Sequence, residues 1–194
     1  GAPTPASSAT ELPLLNLKHL RRMTDDTGLV QHAAYTVPNY REGYSIDDNA
    51  RGLIAAAYLE ELGEDPAGET FELATRYLAF LWQAFNVPVA RFRNFLSFER
   101  HWLEEKGSED CHGRSLWALG TIIGRSNHAG LRGAANQLFE PALAPLAAFT
   151  SPRAWAFSLL GLHEYLKRYG GDRVVRGVRD ELATRLFQLH TDYA

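Results

Sequence analysis

Acids, amides and arginines crowd two short stretches of this chain, "SIDDNAR" from Ser45 to Arg51 and "GSEDCHGR" from Gly107 to Arg114. Apolar runs follow both, "GLIAAAYL" and "SLWALGTIIG". One aspartate is enough to cap a helix, because its carboxylate accepts from unpaired backbone N–H groups and sits well in the helix dipole. Capping therefore uses one of Asp47 and Asp48 and leaves the other, with Asn49 and Arg51, in excess. Ser108 caps the second run with Cys111 at its third position, which leaves Glu109, Asp110, His112 and Arg114 in excess.

Two carboxyl groups across a cleft are the equipment of glycoside hydrolysis. One stays protonated and donates to the leaving oxygen; the other stays ionised and activates water or steadies the oxocarbenium-like state. Asp48 and Asp110 form the first candidate pair, Asp47 and Glu109 the second. Carboxylates and guanidinium groups also grip adjacent hydroxyls in pairs, and aromatic faces cover the apolar side of a pyranose. Sugar contacts are therefore expected from Asn49, Arg51, His112, Arg114 and Arg153. Further contacts are expected from His32, Tyr44, Arg93, Asn94 and Trp155, with Tyr35, Phe95, Trp102 and Trp117 as further rings. Each ring reads equally well as core. The segment "FRNFLSFERHWLEE" places Arg91, Arg93, Asn94, Glu99 and Arg100 near the second cluster, either as a rigid network with the acids or as ligand contacts.

Other chemistries lack their patterns. His32, Asp47, Asp48, Asp110 and His112 are metal-ligand types without a ligand spacing, so no metal and no cofactor is assigned. The glycines of "GTIIGRSNHAGLRG" make neither a P-loop nor a dinucleotide fingerprint. Cys111 has no basic partner to make it a nucleophile. The chain has 194 residues, 20 basic and 23 acidic, with net charge -3, which provides no electrostatic footprint for nucleic acid. No apolar run reaches the length of about 18 residues that suggests a membrane span. A single cysteine rules out an internal disulfide and fits a reducing compartment, hence a cytoplasmic location. "GAPTPASSAT" lacks the order of a secretory signal; residues 1–11 read as a flexible tail and 12–194 as one helical hairpin domain.

The elements that must position these groups are helical. Apolar periodicity predicts helices over about 12–23, 49–62, 69–85, 112–124, 130–147, 153–169 and 173–189, with short extended segments around 29–32 and 91–99. Pro141 and Pro145 strain the later turns of the fifth of these. Helices starting near 49, 112 and 153 are apolar nearly all round and read as inner; the more charged 69–85 and 173–189 read as outer. "IDDNARGLIAA" and "EDCHGRSLWALG" align with an offset of 63 residues, Asp47 with Asp110 and Arg51 with Arg114, and "TSPRAWAFSLLG" is a third member. The expected fold class is all-α, an αα-hairpin array forming a partial (α/α)6 toroid. Three hairpins are about half of the six such a ring takes. Parallel inner helices would bring both acid clusters and Arg153 to one mouth.

Three stretches, "TDDTGLVQHAAYTVPNYREGYSIDDNARGL", "RFRNFLSFERHWLEEKGSEDCHGRSLWALGT" and "SPRAWAFSLLGL", resemble a helical region found beside glycosyltransferase domains in bacterial proteins. That region is often described only as part of a group 1 glycosyltransferase, and it resembles six-hairpin, (α/α)6 glycosidase-like folds. The resemblance spans Leu15 to Leu166. It implies that Asp47, Asp48, Asn49, Arg51, Glu109, Asp110, His112 and Arg114 line a shared cavity. The chain itself has no strand–helix alternation for a nucleotide-sugar domain. Three functions are compatible with all this: an oligosaccharide-binding domain that cleaves or transfers a glycosidic bond, a non-catalytic glycan-binding or structural module beside a glycosyltransferase, and an oligomer-forming scaffold. Their partners are an oligosaccharide or glycoside, an attached glycosyltransferase domain, and a second copy or the remaining toroid half.

Overall fold

In the computed structural model, residues 15–63 and 68–193 are described. The tail expected over 1–11 lies outside them. Seven α-helices form among the described residues: α1 (Lys18–Arg22), α2 (Ile46–Leu62), α3 (Glu69–Ala84), α4 (Glu109–Arg125), α5 (Ala129–Ala142), α6 (Pro152–Arg168) and α7 (Arg173–Tyr193). The fold is all-α. Strand is limited to three two-residue antiparallel ladders: β1 (Ala33–Ala34) with β2 (Val37–Pro38), β3 (Tyr44–Ser45) with β6 (Phe95–Leu96), and β4 (Phe85–Asn86) with β5 (Arg91–Phe92). Around 29–32 the chain makes isolated bridges, Thr24 with Leu29 and Val30 with Tyr44, in place of a strand.

Helix starts fall earlier than the apolar pattern suggests, because serines cap them. Ser45, Ser108 and Ser151 each accept, through Oγ, the N–H three residues on, from Asp48, Cys111 and Ala154. The acids thus lie inside the first turn, where the dipole stabilises them, and not at the cap itself. Gly63, at φ +69°, ends α2 in the left-handed conformation that glycine adopts without a Cβ clash. The helix expected over 130–147 stops at Ala142, and a 3-10 turn over Ala144–Ala148 carries Pro145 near its start. There the missing N–H costs nothing.

The helices pair as α2/α3, α4/α5 and α6/α7, and α4 lies between α2 and α6. From Cys111 to Ile123, every residue of α4 except Arg114 and Trp117 is buried. In contrast, α7 buries only Val175 and Leu182. The structure is therefore an array of αα-hairpins with α2, α4 and α6 side by side and α3, α5 and α7 as their hairpin partners. Glycine sets the closeness of α4 and α6. A Cβ on Gly120 would sit 2.1 Å from the Gly161 carbonyl oxygen, and one on Gly161 would sit 2.3 Å from that of Leu116. The apolar helices could not approach this closely with larger residues.

Candidate functional site at the inner helix ends

Counting from the three capping serines puts the repeat in register. Asp47, Asp110 and Arg153 each stand two residues after the cap; Asn49, His112 and Trp155 stand four after; Arg51, Arg114 and Phe157 stand six after. Because α2, α4 and α6 are neighbours, equivalent positions meet. Asp47 accepts from Arg114 Nε of the next helix at 2.9 Å and from Arg51 of its own at 3.3 Å. Asp110 accepts from Ser151 Oγ at 2.6 Å and forms an ion pair with Arg153. Glu109 accepts the N–H groups of Thr150 and Ser151 at 2.8 and 2.7 Å, which anchors the chain entering α6. Asp48 accepts from Ser45 Oγ at 2.5 Å and lies 3.6 Å from Arg51.

Seven of the expected site residues, Asp47, Asp48, Arg51, Glu109, Asp110, Arg114 and Arg153, thus form one edge where three helices begin. The carboxylates are partly open, with side chains 21–30 % exposed for Asp47, Asp48 and Asp110. The Arg114 guanidinium lies 4.2 Å over the ring of Phe157, which stacks on Trp117 at 6.0 Å. The extended arm meets this edge through its backbone. The carbonyl of Asn94 accepts the Ile46 N–H at 2.8 Å, while Arg93 pairs outward with Glu105 at 3.2 Å. Arg91 donates to the Gly107 carbonyl and lies over Phe149.

The positions four after each cap belong to the frame. Tyr44, Asn49 and His112, expected to contact a sugar, are buried, at 1 %, 0 % and 0 % exposure, and their side chains bond within the fold. Asn49 accepts the Leu29 N–H at 2.9 Å and donates to the Ser45 carbonyl at 2.8 Å. His112 Nε2 donates to the Ala142 carbonyl at 2.8 Å, which fixes the proton on that nitrogen. Burial pushes its pKa down to about 3, so the ring is neutral at pH 7. Trp155 Nε1 donates to the Phe149 carbonyl at 2.9 Å. Tyr44 donates its hydroxyl to Asp25 at 2.5 Å, and burial pushes its pKa up to about 12. His32 is exposed, and its carbonyl accepts the Asn39 N–H. Cys111 is buried and donates to the Ser108 carbonyl; burial pushes the thiol up to about 12, where it is no nucleophile.

A network that residue types alone did not suggest closes the opposite end. Arg125 of α4 bonds Glu164 of α6 through two nitrogens at 2.8 and 2.9 Å and also reaches Glu61 of α2. Its guanidinium lies 4.6 Å over Tyr58. Burial by itself would raise the Glu164 carboxyl; the bonds from Arg125 and Lys167 outweigh it and bring the pKa below the usual value. The sequence signal for it is an arginine and a glutamate in the C-terminal half of two helices whose middle turns are apolar.

Among the described residues, no group of three or more His, Cys, Asp or Glu side chains could hold a metal ion, and no helix is long and apolar enough to cross a membrane. No protein-family model, curated protein or solved structure matches the chain.

Proposed function

We propose that the chain is a carbohydrate-binding helical domain, one arc of an (α/α)6 toroid-like region beside a glycosyltransferase, and that it holds an oligosaccharide against the edge where α2, α4 and α6 begin. One observation carries this reading: carboxylate–guanidinium pairs join consecutive inner helices at that edge, Asp47 with Arg114 and Asp110 with Arg153, and remain partly open to solvent. Such pairs offer a donor fork beside an acceptor, which is what vicinal hydroxyls require. Holding is favoured over cleaving. Two-carboxyl hydrolysis needs one carboxyl free to carry and deliver a proton, whereas Asp47, Asp48, Glu109 and Asp110 each already accept from a cation, a hydroxyl or backbone N–H groups.

A glycan array and a hydrolysis screen on the wild type, Asp47→Asn and Asp110→Asn test the reading. Binding by the wild type without sugar release is expected, with a loss of at least about tenfold in either variant, the scale of one charge-assisted hydrogen bond. Turnover that disappears in Asp110→Asn would replace binding by glycosidase chemistry, and absence of binding to any glycan would overturn both.

A second reading, assembly with another copy or with a remaining toroid half, is favoured by the ends of the array. Leu62 on α2 is 72 % exposed, and Val174 and Phe187 on α7 are 70 % and 71 % exposed. Light scattering on the wild type and Leu62→Glu checks it: a dimer that the variant dissociates supports assembly, and a monomer in both removes it.

A further inference from the structure

A cleft apart from the helix ends lies between the turn at Asp26–Thr27, the last turns of α3 and the turn that precedes Trp102. It encloses about 330 Å³, near the lower end of the range for small-molecule sites, roughly 300–1,000 Å³. Phe80, Leu96 and Trp102 supply apolar walls; Asp26, Gln83 and Arg100 supply a carboxylate, an amide and a guanidinium. Trp102 is held by a backbone bridge to Leu96 and by an edge-on contact with Phe80 at 5.7 Å.

Two features of this cleft leave Asp26, Gln83 and Arg100, all exposed, available to a ligand. Among the described residues, no hydrogen bond or ion pair engages the side chains of Asp26, Gln83 or Arg100. Asp25, one residue earlier, is consumed by the Thr27 and Gly28 N–H groups and by the Tyr44 hydroxyl. The second feature is Arg100 itself, at φ +64°. The turn it completes is closed by its own N–H to the Ser97 carbonyl at 3.0 Å and by the Ser97 N–H to the His101 carbonyl at 2.9 Å. A left-handed position of this kind favours glycine or asparagine. Tyr35 and Ala90 also take this conformation, and of the three only Arg100 lines the cleft. Strained non-glycine residues gather at ligand sites because the surroundings hold them in place for a purpose.

The cleft thus offers an acceptor, a donor fork and an amide that does both, next to an aromatic ring. Its two charges are opposite in sign and are not joined to each other. The matching ligand is neutral, carries adjacent groups that both donate and accept, and has one apolar face. We propose that this cleft binds a single hexopyranose ring, with Asp26 and Gln83 accepting from and bonding to neighbouring hydroxyls, Arg100 donating to ring or hydroxyl oxygens, and Trp102 covering the C–H face. It shares no residue with the edge at the inner helix ends and does not depend on that reading.

The test titrates the full chain with glucose, mannose, galactose and N-acetylglucosamine up to about 50 mM, a range that reaches millimolar dissociation constants. Saturation-transfer NMR and tryptophan fluorescence report binding. At least one sugar is expected to saturate, and Asp26→Ala, a change at an exposed side chain, is expected to weaken it at least about tenfold. Arg100→Gly is expected to weaken it as much while raising the melting temperature, since glycine relieves the left-handed backbone. Asp47→Asn is expected to leave this titration unchanged, which separates the cleft from the helix-end edge. The proposal is overturned if no sugar saturates, if both cleft variants bind as the wild type does, or if glycine and other free amino acids compete for the site, which would make the ligand a zwitterion.

Discussion

At the scale of single residues, the chemistry turns on what each polar group has already bonded. His112 shows how this sets a pH dependence. Its pKa is lowered from 6.5 to about 3 by burial, so the unfolded chain takes up its proton first as pH falls. Its contribution is complete above 6.5 and is lost progressively between there and about 3. Urea unfolding of wild type and His112→Gln across this window should show the wild type losing up to roughly 5 kcal/mol that the variant does not lose. Equal slopes would mean that the ring is solvated. Glu164 behaves in the same direction for a different reason, since its lowered pKa makes its share of stability present above the unfolded value and lost as pH falls through the folded one. Arg125→Ala leaves a carboxylate that is only 8 % exposed with Lys167 as its remaining partner and should cost about 1–3 kcal/mol, whereas replacing both Arg125 and Glu164 by apolar residues should cost less. A double-mutant cycle measures the difference.

At the scale of elements, the seam between α4 and α6 makes the sharpest demand on sequence. Gly120→Ala and Gly161→Ala each push a Cβ against backbone, and backbone cannot turn aside as a side chain can. Each should therefore destabilise by about 1–3 kcal/mol even though alanine is the better helix former. Gly177→Ala on α7, where an added Cβ meets nothing, should stabilise by about 0.5–1 kcal/mol. Thermal unfolding of the three variants checks both signs. The element scale also shows what was legible in the sequence. Periodicity placed every long helix, and the Ser108 cap was readable because its serine precedes an acid-rich start. The alignment of Asp47 with Asp110 was readable from two local texts, and the structure puts both two residues after a capping serine. Burial was not readable. Asn49, His112 and Trp155 look like ligand-binding types, yet each faces a main-chain carbonyl contributed from elsewhere, as His112 does with Ala142, thirty residues away. The cleft at Asp26 and Arg100 escaped for a similar reason: its groups are 74 residues apart in the chain and meet only because β3 pairs with β6.

At the scale of the whole molecule, stability should fall outward from α4. That helix is covered on both flanks, while α7 buries two residues, packs mainly on α6, and is otherwise tied by Arg185 to the carbonyls of Ala147 and Phe149. Hydrogen exchange should therefore protect Leu116 to Ile123 to the full unfolding free energy and release α7 through local opening several kcal/mol lower, on the order of 3 kcal/mol. Uniform protection from α2 to α7 would instead point to a single cooperative unit. The same gradient bears on the edge at the helix starts. Two of its helices, α2 and α4, sit in the more protected part, and the third, α6, is fastened to them by the Glu109 and Asp110 bonds to residues 150–153. Positioning of the Asp47–Arg114 pair should then survive loss of α7 contacts better than that of the Asp110–Arg153 pair.

The central place of α4 also constrains how the chain comes off the ribosome. The hairpin of α2 and α3 emerges before α4, so the flank that α4 covers stays bare until Arg125, the last residue of α4, has been synthesised. During that interval the bare apolar flank is open to non-native contacts with other chains. Slowing translation between Glu69 and Arg125, with rare codons and an unchanged protein, should lower the soluble yield.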